Sequence, residues 1–197
     1  KPLADLHFVK LENGEGKAVR FSDVLNSPVN DGPASFTADG ATICFTRNKT
    51  IPKRLSNLGS RMDHLGLFFS KRVDGGWSTP EAFPHNGTDH SVMHAGLSAD
   101  GRTLIFASDM SGGEGGTDLY RSELRDGQWT TPKNLGPPVN GPGNELFPFL
   151  HPDGTLYFSS DRPGGSGGLD VLRASPSGSG WNGPEFLPAP VNSIGND

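Results

Sequence analysis

Three copies of one pattern run through the 197-residue chain. Trp77, Trp129 and Trp181 stand 52 residues apart both times, and the Asp-Gly pairs beginning at Asp39, Asp100 and Asp153 stand 61 and 53 apart. Each copy opens on a short apolar segment ("PASFTA", "HAGLSA", "LFPFLHP") and turns at Asp-Gly. It then runs into "TICFTRN", "TLIFASD" or "TLYFSSD", and after a loop into "GLFFSKR", "DLYRSEL" or "DVLRASP". A tryptophan stretch and a proline-rich exit close it. A constellation that recurs at a fixed period is architecture before it is a site.

The apolar runs last four to six residues between Gly, Pro, Asn and Asp, and none shows a helical period. Asp-Gly between two such runs predicts a two-residue hairpin with both central residues at positive φ. Each unit therefore reads as four short strands. A sheet of about 50 residues cannot keep both faces dry alone, so copies must pack side by side, and the radial solution is an all-β, β-propeller fold of four-stranded antiparallel blades. A β-sandwich is the runner-up, and it does not explain a tryptophan in a near-constant frame. Pro148, in the middle of "LFPFL", fits an innermost strand, which is a sheet edge where a missing N–H costs little.

"ADLHFVKLENGEG" resembles "TDLYRSELRDGQW", so residues 1–32 read as the outer half of a blade. Whole blades follow at 33–91, 92–145 and 146–197, about three and a half in all. Known propellers need at least four, so the expected partners include the remaining blades, from the parent chain or another copy.

Gly 28 and Pro 17 lean toward disorder, a prior that the internal order overrides. A net charge of -5 argues against nucleic acid or an anionic membrane surface as the main partner. No apolar run approaches the roughly 18 residues of a spanning helix, so no direct membrane insertion is expected. The chain opens on Lys1 without a signal-peptide pattern and reads as a soluble mature protein or an excised segment. Cys44, the one cysteine, sits in "TICFT" as a small buried hydrophobe.

Three connections between units share Asn, then Asn plus an acid four residues later: Asn26, Asn30 and Asp31; Asn140, Asn144 and Glu145; Asn192, Asn196 and Asp197. Two readings stand: turns closed by Asx side chains, or a polar rim at the channel mouth able to hold Ca²⁺ or a polar ligand. The middle connection, "HNGTDH", breaks the pattern. The loops "DMSGGEGGTD" and "DRPGGSGGLD" repeat an Asp pair nine residues apart, Asp109 with Asp118 and Asp161 with Asp170. No helix follows them, which removes a phosphate loop. Their glycines permit tight turns capped by the acids, and the four Asp residues are also the candidate calcium ligands.

In the first unit a longer insertion, 48–66, replaces that loop and carries Lys49, Lys53, Arg54 and Arg61, a basic patch expected to contact partners. His85, Asp89, His90 and His94 lie close in sequence but match no zinc spacing. No nucleophile elbow, paired His-Glu motif or activated cysteine is present, so a non-enzyme is expected.

"FPFLHPDGTLYFSSDRPGGSGGLDVL", preceded by "LGPPVNGPGNE", resembles the WD-like, TolB-type propeller repeat of large OmpA-family, outer-membrane-associated proteins of the Bacteroidetes, closely in the last two repeats and loosely in the first. The resemblance implies a periplasmic scaffold whose partners are other envelope proteins, in some members part of the type IX secretion and gliding apparatus. The alternative is the propeller of a carbohydrate-active or peptidase-associated enzyme.

Overall fold

The computed structural model describes residues 4–49 and 64–197, and among these every regular element is a β-strand. Among the described residues no helix is long and apolar enough to cross a membrane. β1 (His7–Val9) and β2 (Ala18–Arg20) form an antiparallel ribbon. The first blade follows as β3 (Asp31–Phe36), β4 (Thr42–Asn48), β5 (Leu65–Val73), β6 (Gly76–Trp77) and β7 (Glu81–Ala82). The second comprises β8 (Val92–Leu97), β9 (Thr103–Ser108), β10 (Asp118–Arg125), β11 (Gln128–Trp129) and β12 (Lys133–Asn134). The third comprises β13 (Glu145–Leu150), β14 (Leu156–Ser160), β15 (Asp170–Ala174), β16 (Pro176–Ser177), β17 (Gly180–Trp181) and β18 (Glu185–Phe186).

Strand order in the blades is β3-β4-β5-β7, β8-β9-β10-β12 and β13-β14-β15-β18, antiparallel throughout. The molecule is an all-β propeller segment. β1 and β2 pair with each other as β5 and β7 do, the outer half of the same pattern.

The alternation of side chains across each strand explains why both faces are apolar. Leu104 and Phe106 of β9 join Cys44, Leu67 and Phe83 in the seam between the first and second blades. Ile105 and Ala107, on the opposite face, join Leu156, Phe158 and Leu172 in the next seam. Ile43 and Phe45 pack with Leu25 and Trp77 against the ribbon side. The core is thus divided among three seams, and each fully buried Leu or Phe stabilises its seam by about 1.5–3 kcal/mol. Cys44 is fully buried, and desolvation pushes its thiol well above the usual range.

The tryptophans occupy equivalent places, opposite Arg72, Leu124 and Pro176 at the outer end of each third strand. Each covers a seam: Trp77 lies beside Phe21, Trp129 stacks on Phe69 with centroids 5.3 Å apart, and Trp181 packs into the cluster that includes Ile105 and Leu156.

The Asp-Gly turns differ from the expected two-residue hairpins. Only the glycines, Gly40, Gly101 and Gly154, have positive φ; the aspartates do not. The aspartate acts through its carboxylate instead. Asp39 accepts from Ala41 N at 2.9 Å, Asp100 from Arg102 N at 3.0 Å and Asp153 from Thr155 N at 2.8 Å. The longer Asx-closed turn satisfies these amides without forcing a Cβ-bearing residue into the left-handed region.

On every innermost strand the ladder shifts register, at residues 31–34, 93–96 and 146–149. Pro148 sits in the third shift, where the ladder does not require its missing N–H.

Candidate functional site

The linker asparagines are tied to strands. Asn26, Asn140 and Asn192 are all buried. The Oδ1 of each accepts from a third-strand amide, Leu6 N, Leu119 N or Val171 N, at 2.7–2.9 Å, and the Nδ2 of each donates to that same residue's carbonyl at 2.9–3.0 Å. One side chain so satisfies an amide that would otherwise be left unpaired and adds a second donor to a carbonyl that already accepts from Phe21 N, Leu135 N or Leu187 N. The middle connection keeps this device: Asn86 makes the same two bonds to Leu67, at 2.9 and 2.8 Å.

The second asparagine and the acid hold each connection to the loops and strands beside it. Asn30 Oδ1 accepts from Ala4 N, and Asn196 Oδ1 from Leu169 N. Asn144 is clasped by Asp161, whose Oδ1 accepts its backbone N at 2.6 Å and whose Oδ2 accepts its Nδ2 at 2.7 Å; these bonds hold the Asp161 carboxyl below its ordinary range. Asp109 does the same for Ser91 N at 2.7 Å. Asp197 accepts from Ser193 N at 2.6 Å.

Asp31 and Glu145 are buried and paired with arginines that sequence reading missed. Arg47 Nε lies 2.5 Å from Asp31 Oδ1 and its Nη2 donates to Leu25 O. Arg162 Nη2 lies 3.0 Å from Glu145 Oε1 and also donates to Val139 O. Leu25 and Val139 each precede a linker asparagine. The two cations thus make one contact pattern from different chain positions: Arg47 lies within β4, facing Asp31 across the ladder, whereas Arg162 follows β14. In the second blade one extra linker residue puts Val92 where Asp31 and Glu145 stand. The matching cation positions hold Ser108 and Met110, so acid and cation are absent together.

Each glycine loop wraps one acid of its pair. Asp118 Oδ2 accepts from Glu114 N at 2.7 Å; Asp170 Oδ2 accepts from Ser166 N at 2.9 Å and Gly167 N at 3.1 Å. A Cβ on Gly113 would lie 1.6 Å from Asp118 Oδ2, and one on Gly165 2.1 Å from Asp170 Oδ2. A Cβ on Gly115 or Gly167 would strike the carbonyls of Gly143 or Gly195 in the linker. The glycines are needed for close approach. Asp109 and Asp161 bond amides of the linkers while Asp118 and Asp170 bond amides of their own loops, so each acid of the expected calcium pairs is engaged by backbone. Oδ1 of Asp118 and of Asp170 is buried without a partner among the described residues, where no group of three or more metal-ligating side chains forms.

Of the expected basic patch, Lys53, Arg54 and Arg61 lie outside the described residues. Lys49 turns its ammonium onto the carbonyls of Gly87 and His90, and desolvation lowers its pKa. The histidines of the middle connection part company: His85 Nε2 pairs with Trp129 O, and His90 with Asp89. His94 lies on the innermost strand with its ring stacked on Phe147, centroids 3.9 Å apart. Both residues have positive φ, 54° and 51°, at equivalent register shifts. They line a cavity of about 190 Å³ with Pro33 and Phe149, and burial lowers the His94 pKa to about 4.

No family model matches the chain, and no curated protein matches it in sequence. Solved structures do match in shape. A Mycobacterium tuberculosis puromycin-hydrolyzing peptidase is 15% identical over 89% of this chain, with a TM-score of 0.53. A puromycin hydrolase mutant complexed with PGG is 16% identical over 87%, with a TM-score of 0.52. A putative TolB from Agrobacterium tumefaciens, 15% identical over 85% of this chain and 64% of its own, has a TM-score of 0.35. The chain spans about a quarter of the two hydrolases, 24% and 25% of their lengths. At these identities the likeness to the hydrolases is one of fold, and that fold is the β-propeller.

Proposed function

We propose that the chain is a non-catalytic β-propeller scaffold, a protein-binding module of the bacterial cell envelope acting in the periplasm at the outer membrane. The observation that carries this reading is the engagement of the repeated acids and amides with the chain's own backbone and arginines. Groups already bonded in this way stabilise a frame, and recognition falls to the loops and grooves around it. A glycosidase would need two free carboxylates about 5–10 Å apart in one pocket. Its partners are other envelope proteins, with remaining blades supplied by the parent chain or another copy. A second reading, the propeller of a peptidase-associated or carbohydrate-active enzyme, has in its favour the shared fold with hydrolases that are about four times longer.

Affinity capture from envelope extracts, with the intact chain and with residues 50–63 replaced by a short Gly-Ser turn, tests the proposal. A defined envelope protein retained by the first and lost by the second supports it. Capture of a hydrolase polypeptide by both would favour the second reading.

A further inference from the structure

Each seam ends at the rim in a groove beside its tryptophan, and the three grooves differ in charge. The groove between ribbon and first blade, about 650 Å³, sets Arg72 against Asp23 and Asp74. The next, about 580 Å³, sets Lys71 against Glu81. The third, about 520 Å³ between the second and third blades, gathers Arg121, Arg125 and Lys133 around Glu123, walled by Trp181. Among the described residues, and on a chain of net charge -5, one of these three grooves carries a cation cluster.

Glu123 is shared. Its Oε1 lies 2.7 Å from Arg121 Nη2, and its Oε2 accepts from Arg125 Nε at 2.9 Å. Hydrogen bonding to Arg125 and the charges of Arg121 and Lys133 hold its carboxyl below the ordinary range. One carboxylate therefore serves two guanidiniums, and neither Lys133 nor the exposed face of Arg125 has an acid of its own among the described residues.

The arrangement is linear. Arg121, Glu123 and Arg125 alternate along β10 and so share one face, while Lys133 of β12 is the cross-strand partner of Arg121. The cation row is about 13 Å long, because Arg121 and Arg125 stand four residues apart on an extended strand with Glu123 between them.

We propose that this groove binds an extended acidic peptide segment, with carboxylates four residues apart engaging Arg125 and the Arg121–Lys133 pair. The spacing of about 13 Å matches positions i and i+4 of an extended peptide lying over this face of β10, and charge pairing with the cations fixes its register. The chemistry is the same whether the propeller is a scaffold or accompanies an enzyme, so either reading can fail without the other.

The test is fluorescence polarisation of the purified intact chain with a labelled Glu-Thr-Thr-Thr-Glu peptide. Arg125→Glu with Lys133→Glu, both exposed, should weaken binding by about tenfold or more without changing the melting temperature, because rim charges govern association more than folding. Lys133→Arg should bind like the parent, as should Lys71→Glu in the neighbouring groove. Equal binding by all variants, no binding at millimolar peptide, or binding of a uronic-acid oligosaccharide in place of the peptide would each overturn the proposal.

Discussion

The connections entering the second and third blades perform one task with opposite chemistry. At the third blade, buried Glu145 meets Arg162, and Ser160 Oγ donates to the same carboxylate. At the second, fully buried Val92 occupies the acid's place and Met110 the arginine's. Acid and cation are present together or absent together. A buried ion pair and a well-packed apolar pair are close in net free energy, whereas either half left alone is costly. The seam needs complementarity rather than charge.

Breaking that complementarity should have the largest effect. Glu145→Ala strands Arg162 against the Val139 carbonyl and should cost about 3–5 kcal/mol in denaturant unfolding. The double change Glu145→Val with Arg162→Met, which copies the second blade, should recover more than half of that loss. Additive single effects would show that the two residues do not act as a pair.

Next in size is the asparagine that both connections keep. Asn140→Ala unpairs the amide of fully buried Leu119, whose carbonyl keeps its bond from Leu135 N, and should cost about 1–3 kcal/mol. Asn26→Ala acts on partly exposed Leu6 and should cost about half as much. Chemical denaturation ranks the two, and equal losses would show that depth in the seam does not set the value.

Gly165→Ala pushes a Cβ onto the Asp170 carboxylate and should cost about 1–3 kcal/mol, whereas Gly183→Ala, with open space around it, should be near neutral.

The smallest effect is pH-dependent. Burial against Phe147 takes the His94 pKa from 6.5 to about 4, so the unfolded chain binds the proton first as pH falls. The stability of the neutral ring is fully present above about pH 6.5 and is lost between there and about pH 4, by roughly 1–3 kcal/mol. His94→Phe should flatten that part of the stability–pH curve relative to the parent.

The propeller was legible because blades must bury both faces. Apolar runs such as "TLIFAS" carry no polar alternation, and Trp77, Trp129 and Trp181 mark their frame. Position within the connections was harder to read. The single residue inserted after Asn86 hid an asparagine that makes the same bonds as Asn140. The arginine pairs were invisible because Arg47 and Arg162 reach equivalent acids from non-equivalent places, which only the fold brings together. The Asp-Gly turns were misread because hairpin statistics favour a two-residue loop, whereas here the carboxylate closes a longer one. For the glycine loops, spacing alone does not tell that Asp161 bonds the linker and Asp170 its own loop.

Structural use of these repeated acids is the claim on which the account stands, and thermal unfolding across a calcium titration tests it most directly, since Oδ1 of Asp118 and Asp170 is where an ion would register. The account predicts an unchanged melting temperature up to about 5 mM calcium. A rise of several degrees that Asp118→Asn and Asp170→Asn abolish would contradict it.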